Sequence, residues 1–230
     1  MAYDYNIAID LEFTPVFNPA APKGLGVETI EIGAAKLDSE GREMGTFSEL
    51  VMPVYASTIA RRVGRVTGLR MYHLAHARPF EEVVYRLVDW IGPGHHRMLT
   101  WDSSDRRVIA DECKAKGLDV ELPARWLDLQ RIYPRLMGSG QRQVSLGCAA
   151  DECGIAFERR HRALCDAQAT GQIFRMAVEG ELSVQQQLLA SEVKERPMTN
   201  GCVSSIADRC GNGLAELLAS LSGSEAVACA

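Results

Sequence analysis

The sequence predicts an α/β domain, a mixed five-stranded sheet flanked by helices, on three observations. The first fifty residues carry the two-residue rhythm of strands. From Phe80 onward the spacing turns helical, with short apolar strands between the helices. A chain of 230 residues with 47% hydrophobic side chains can bury one sizeable core. The domain is expected over 1–180, followed by a C-terminal helical extension and small-residue tail over 181–230.

The first strand is IAIDLEFT at 7–14. Alternation puts Ile7, Ile9, Leu11 and Phe13 on one face and Ala8, Asp10, Glu12 and Thr14 on the other. Asp10 and Glu12 are therefore neighbours, two like charges within roughly 7 Å on a strand that should be central. Such a pair needs compensation, and a bound divalent cation would supply it.

A Pro/Gly-rich connection, PVFNPAAPKGLGVE, leads to a second strand, TIEIGAAKLD, and a turn at DSEGRE leads to a third, TFSELVMPV, completing an antiparallel meander. PFEEVVYRLVDWI then sets Phe80, Val83, Val84, Leu87, Val88 and Ile91 at helical spacing, and RMLTW follows as a short strand. Helices are expected at SDRRVIADECKAKG, LDLQRIYPRLMG with Pro134 interrupting it, SLGCAADECG and ALCDAQATGQIFRMAVEG, with ARWLDL a short strand between the first two. Beyond Glu181, ELSVQQQLLASEVKERP reads as a polar-faced helix, and Leu214, Leu217, Leu218 and Leu221 form a stripe. That stripe fits intramolecular packing or a homodimer seam.

Composition narrows the setting. No apolar run approaches the ~20 residues of a membrane span and the N-terminus is acidic, so a cytoplasmic protein is expected. Seven scattered cysteines include no C-x-x-C pair, which argues against zinc or a redox dithiol. A net charge of -5 gives no global pull on polyanions, so any nucleic-acid contact must be local. Twenty arginines against five lysines suit forked phosphate contacts, although genomic base composition produces the same bias.

Two further stretches carry candidate chemistry. In RRHRALCDAQATGQIF, His161 and Asp166 are five residues apart, ~500° of helical rotation, so they converge only if His161 lies in a loop before the helix. The plainer alternative is a surface histidine beside an aspartate favouring a helix N-terminus. In LTWDSSDRRVI a strand runs into a helix. There Asp102 or Ser103 can cap and Asp105 can stabilise the first turn, or Asp105 can be aimed at the carboxyl edge of the sheet where α/β sites form.

D-x-E, then D, then H-x4-D in this order resembles the DEDDh 3′-5′ exonucleases, the group of RNase T and the DNA polymerase III proofreading subunit. IDLEFT, ETIEIGAAKLD, TWDSSD, LDL and HRALCDA look most like the RNA-trimming branch that contains the histone-mRNA exonuclease and sporulation-inhibitor-like proteins. The likeness spans roughly residues 4–178. It implies an RNase H-like sheet and metal-dependent hydrolysis of RNA or short single-stranded nucleic acid from 3′ ends, releasing nucleoside 5′-monophosphates. It implies Asp10, Glu12, Asp105 and Asp166 as metal ligands, with Asp102 a rival for the second motif, and His161 as general base.

Oxygen ligands without cysteine select Mg²⁺ or Mn²⁺, and two such ions can hold the attacking and leaving oxygens of an in-line displacement at phosphorus. An imidazole titrates near neutral pH, as accepting a proton from the attacking water requires. Phe13 and Thr14 match positions lining the terminal-nucleotide pocket, and Arg160 and Arg162 could steer phosphates, against the plainer readings of strand packing and a solvated basic loop. His73, His76, His95 and His96 read as exposed loop residues, and Trp101 as core or a base-stacking ring. The rival function is a catalytically idle relative that binds nucleic acid or a protein partner through the same fold.

Overall fold

The structure, a computed structural model, describes residues 3–136, 143–156 and 159–179. The chain runs β1 (Tyr5–Pro15), β2 (Val27–Leu37), β3 (Glu43–Met52), α1 (Arg61–Val66), α2 (Met71–Leu74), β4 (Arg78–Pro79), α3 (Phe80–Ile91), β5 (His96–Thr100), α4 (Ser104–Ala115), β6 (Arg125–Asp128), α5 (Leu129–Leu136), α6 (Leu146–Glu152) and α7 (Ala163–Glu179). The strands form one sheet in the order β4-β3-β2-β1-β5-β6. β1, β2 and β3 make the expected antiparallel meander, and β5 and β6 add in parallel to β1. The mixed α/β class holds.

The sheet has a sixth strand because two residues, Arg78 and Pro79, pair in parallel with Val51 and Met52. Helices α1 and α2 lie in a stretch without apparent periodicity, six and four residues being too short to display a repeat. His96 departs from the exposed-loop reading: it opens β5, is buried, and stacks on Tyr5. His73, His76 and His95 are exposed as expected. The extension over 181–230, with its helix, leucine stripe and homodimer seam, lies outside the described residues.

Alternation along β1 divides the core. Ile7, Ile9 and Leu11 join Val83, Val84 and Leu87 of α3 and Val108 and Ile109 of α4 on one face. Ala8 joins Leu99, Ile173 and Phe174 beneath α7 on the other. Burying an isoleucine of this kind contributes ~1.5–3 kcal/mol, and slipping β1 by one residue would drive Asp10 and Glu12 into the α3–α4 core. Register is thereby secured.

Helix α7 approaches the sheet closely because β2 carries Gly33, the cross-strand partner of Asp10. A Cβ at Gly33 would stand 2.0 Å from the Leu164 nitrogen and 2.1 Å from the Ala163 carbonyl carbon, so no side chain fits there. The first turn of α7 consequently sits against the middle of β1 and β2.

Candidate active site

Pairing between β1 and β5 ends at Ala8 and Leu99, which leaves the later part of β1 open on that side. The Leu11 N–H, between Asp10 and Glu12, donates instead to Asp105 Oδ1 at 3.1 Å. That bond ties the start of α4 to the carboxylate strand and turns Asp105, 5% exposed, toward Asp10. Asp102 begins the helix: its Oδ1 accepts from the Ser104 N–H at 2.6 Å and from the Ser104 hydroxyl. Asp102 also lines the cleft, but Asp105 exerts the larger field on Asp10.

At the third motif, His161 stands before α7 with φ of 63°, the left-handed region that a side chain rarely occupies. Two clamps hold this turn. The His161 N–H donates to Asp166 Oδ1 at 3.1 Å, an aspartate in the first turn of α7 capping the strained backbone. On the other side Arg162 forks onto Glu31, Nη2 to Oε1 at 2.7 Å and Nε to Oε2 at 3.0 Å, while the Ala163 N–H reaches Glu31 Oε2 at 3.3 Å. Glu31 is buried on β2 directly across from Glu12.

These elements enclose a cleft of about 260 Å³ lined by Asp10, Glu12, Phe13, Asp105, His161 and Asp166, with Trp101 and Gln130 at its wall. Glu12, His161 and Asp166 offer ligand atoms that all lie within 4.8 Å of one another. Burial, then the charge of Asp105, raises Asp10 well above the ordinary carboxylate range. Burial, then Asp166 and Glu31, pushes Glu12 up to about 8, with Arg162 opposing. Burial raises Asp166 to about 7 against the His161 N–H, and burial with Asp102 raises Asp105 against the Leu11 N–H. Near neutral pH these carboxylates resist ionising together without a counter-charge, and a set made of oxygen donors with one imidazole fits a divalent metal ion.

Three of the expected substrate contacts are placed differently. Thr14 is fully buried, and its Oγ1 accepts from the Ala60 N–H at 2.9 Å instead of facing the cleft. Arg162 is engaged by Glu31, and Arg160 pairs with Asp151 and covers Gly147. Both arginines hold the turn that carries His161. Phe13 does line the cleft, and Trp101 is core, its indole N–H donating to the Val144 carbonyl at 3.2 Å. Glu31 was not singled out from sequence; its signal is an acid in the apolar centre of a strand, the same anomaly that marks Asp10 and Glu12.

The chain resembles known proteins in sequence and in fold. The sequence model of the Exonuclease (RNase_T) family matches residues 7–174. A PolC-type DNA polymerase III of Thermotoga petrophila is 31% identical over 155 residues, 66% of this chain but 11% of the polymerase. The human 3′-5′ exoribonuclease 1 is 23% identical over 205 residues, covering 83% of this chain and 58% of that protein. This chain thus spans about a tenth of the polymerase relatives and just over half of the exoribonuclease. Among solved structures, the nuclease domain of 3′hExo, a DEDDh family member bound to rAMP, superposes with a TM-score of 0.67 at 21% identity, covering 80% of this chain and 96% of that one. Escherichia coli exonuclease I with a dT13 oligonucleotide gives 0.63 at 14% identity, covering 76% and 41%. The chain belongs to the exonuclease family.

Proposed function

We propose that this exonuclease-family domain removes nucleotides one at a time from the 3′ end of single-stranded RNA, or short single-stranded nucleic acid, releasing nucleoside 5′-monophosphates. The observation that carries the reading is convergence: carboxylates from β1, the start of α4 and the start of α7, with His161, meet at one edge of the sheet. The preference for RNA is supported by the human relative, an exoribonuclease, and by the rAMP bound to a structural neighbour.

Asp10, Glu12, Asp105 and Asp166 would hold two Mg²⁺ or Mn²⁺ ions, which supply charge stabilisation at phosphorus and a more acidic water. The protein contributes position and proton transfer. Asp105 is fixed by the Leu11 N–H and Asp166 by the His161 N–H, so the ligands are set before substrate arrives. His161, exposed at the mouth and held in a strained turn, accepts the proton of the attacking water through its imidazole. Phe13 offers an aromatic face beside the terminal base.

The test is digestion of 5′-labelled RNA and DNA of equal sequence with Mg²⁺, with Mn²⁺ and with EDTA. A ladder shortening from the 3′ end, faster on RNA and abolished by EDTA, is expected. Products that persist in EDTA, or intact strands in every metal, would refute the reading.

A further inference from the structure

The longest interval of this acidic chain without acid covers residues 50–80. These thirty-one residues hold no Asp or Glu but five arginines and two histidines, in a protein of net charge -5. Arg70 and Arg78 are used internally, Arg70 on the Gly64 and Leu69 carbonyls and Arg78 on Glu49. Arg61, Arg62 and Arg65 of α1 are exposed, and among the described residues none pairs with a carboxylate.

This interval is anchored beside the site. Ala60, adjacent to Arg61, bonds Thr14, which lies two residues past Glu12 on β1, or ~7 Å at ~3.4 Å per residue. The buried Glu28 accepts from the Val54, Tyr55 and Ala56 N–H groups at 2.9, 2.7 and 2.7 Å, fixing the loop that precedes α1. At the same edge Phe17 is 89% exposed on the loop whose Asn18 donates to the Tyr55 carbonyl. The basic face therefore begins where β1 leaves the cleft, on a fixed base, and the loop that carries the exposed Phe17 is tied to the segment leading into it.

We infer that Arg61, Arg62 and Arg65, with Phe17, form the path for the single-stranded nucleic acid upstream of the 3′ terminus, the arginines on its phosphates and Phe17 stacked on a base. This rests on the exonuclease reading and extends it: Arg160 and Arg162 being engaged in the turn, substrate length is sensed on α1 instead. Charge complementarity favours a polyanion, and continuity with the cleft favours the substrate strand over a separate acidic partner.

The test compares the full chain with a triple Arg61→Gln, Arg62→Gln, Arg65→Gln variant and with Phe17→Ala, on a dinucleotide and on a 12-nucleotide single strand. For the triple variant KM on the 12-mer should rise about tenfold or more at low salt with kcat within about twofold, while dinucleotide hydrolysis is unchanged. Binding of a labelled 12-mer, measured in an Asp10→Asn background, should lose about 2 from its salt slope, at ~0.7 per phosphate contact. Phe17→Ala should weaken that binding without changing the slope, and melting curves verify that all variants fold. An unchanged affinity and slope in the triple variant overturn the inference. Failure of the wild type to digest any strand sinks the exonuclease reading alone, because the binding assay still decides the role of α1.

Discussion

Two groups of buried acids lie seven residues apart along α4, and only one of them is electrically complete. At Glu112 the Thr29 N–H and hydroxyl donate at 2.9 and 2.7 Å, and Lys116 stands at 2.9 Å. Lys116 also reaches Glu28 at 3.3 Å, beside the three backbone donors that Glu28 already has. Burial pulls Lys116 down, but Glu112, Glu28 and Glu81 more than reverse it, so it stays charged among them. One helical stretch earlier, Asp105 shares its cleft with Asp10, Glu12 and Asp166, and the nearby cation, Arg162, is spent on Glu31. A buried acid is structural where the fold brings its counter-charge and a candidate ligand where it does not.

Swapping the damage between the two groups tests that distinction hardest. Asp10→Asn should reduce hydrolysis to background while the metal-free melting temperature holds or rises, because repulsion in the cleft is relieved. Lys116→Met should do the reverse. Stranding Glu28 and Glu112 costs ~3–5 kcal/mol, a fall on the order of 10 °C, while the folded fraction keeps its turnover. An Asp10→Asn protein that unfolds, or a Lys116→Met protein that melts normally, would erase the distinction.

His161→Ala should lower the single-turnover rate by ~10²–10⁴-fold, the usual worth of a placed proton acceptor, and keep the stabilisation that Mn²⁺ confers. A loss of that stabilisation would make the residue a ligand first. Glu31→Gln weakens the clamp behind the His161 turn, and outer-shell supports of this kind are worth ~10–100-fold. The drop should fall on kcat with KM nearly constant; a change in KM alone would return Arg162 to substrate binding.

A further effect is in the pH dependence of stability. In the fold Glu12 titrates at about 8 and Asp166 at about 7, whereas an unfolded chain releases such protons near pH ~4. Between those values the fold binds more protons than the unfolded chain. Metal-free stability should therefore fall as pH rises from ~4 toward ~8 and level above it, by up to ~1.4 kcal/mol per pH unit for each proton. Urea melts in EDTA at successive pH values read the slope, and Mn²⁺ should flatten it; a slope identical with and without Mn²⁺ would place the titration elsewhere.

How far the sequence reveals the site follows from which contacts are local. Asp10 and Glu12 are legible because strand period alone puts them together. His161 and Asp166 are legible because their spacing forbids a shared helical face, so the bend had to fall between them. Asp105 was distinguishable from Asp102 only by resemblance, since either can start a helix; the Leu11 N–H that orients it depends on where β1 and β5 stop pairing. Glu31 and Arg162 meet across 131 residues, through the register of β2 and the close seat of α7 on Gly33. The burial of Thr14 against Ala60 is not legible in the sequence, because it depends on the register shift between Glu12 and Phe13 and on α1, which is too short to announce itself. His96 looked like loop because its neighbours Gly94 and His95 are, yet the strand begins one residue later.

The claim that the cleft is an acid cluster awaiting a cation is tested most directly by titrating metal-free protein with Mn²⁺ in a calorimeter near pH 8, wild type beside Asp10→Asn. The account predicts saturable binding with proton release in the wild type, and binding weakened at least tenfold in the variant. A wild type that gives no heat and releases no protons, or a variant that binds as the wild type does, would contradict it.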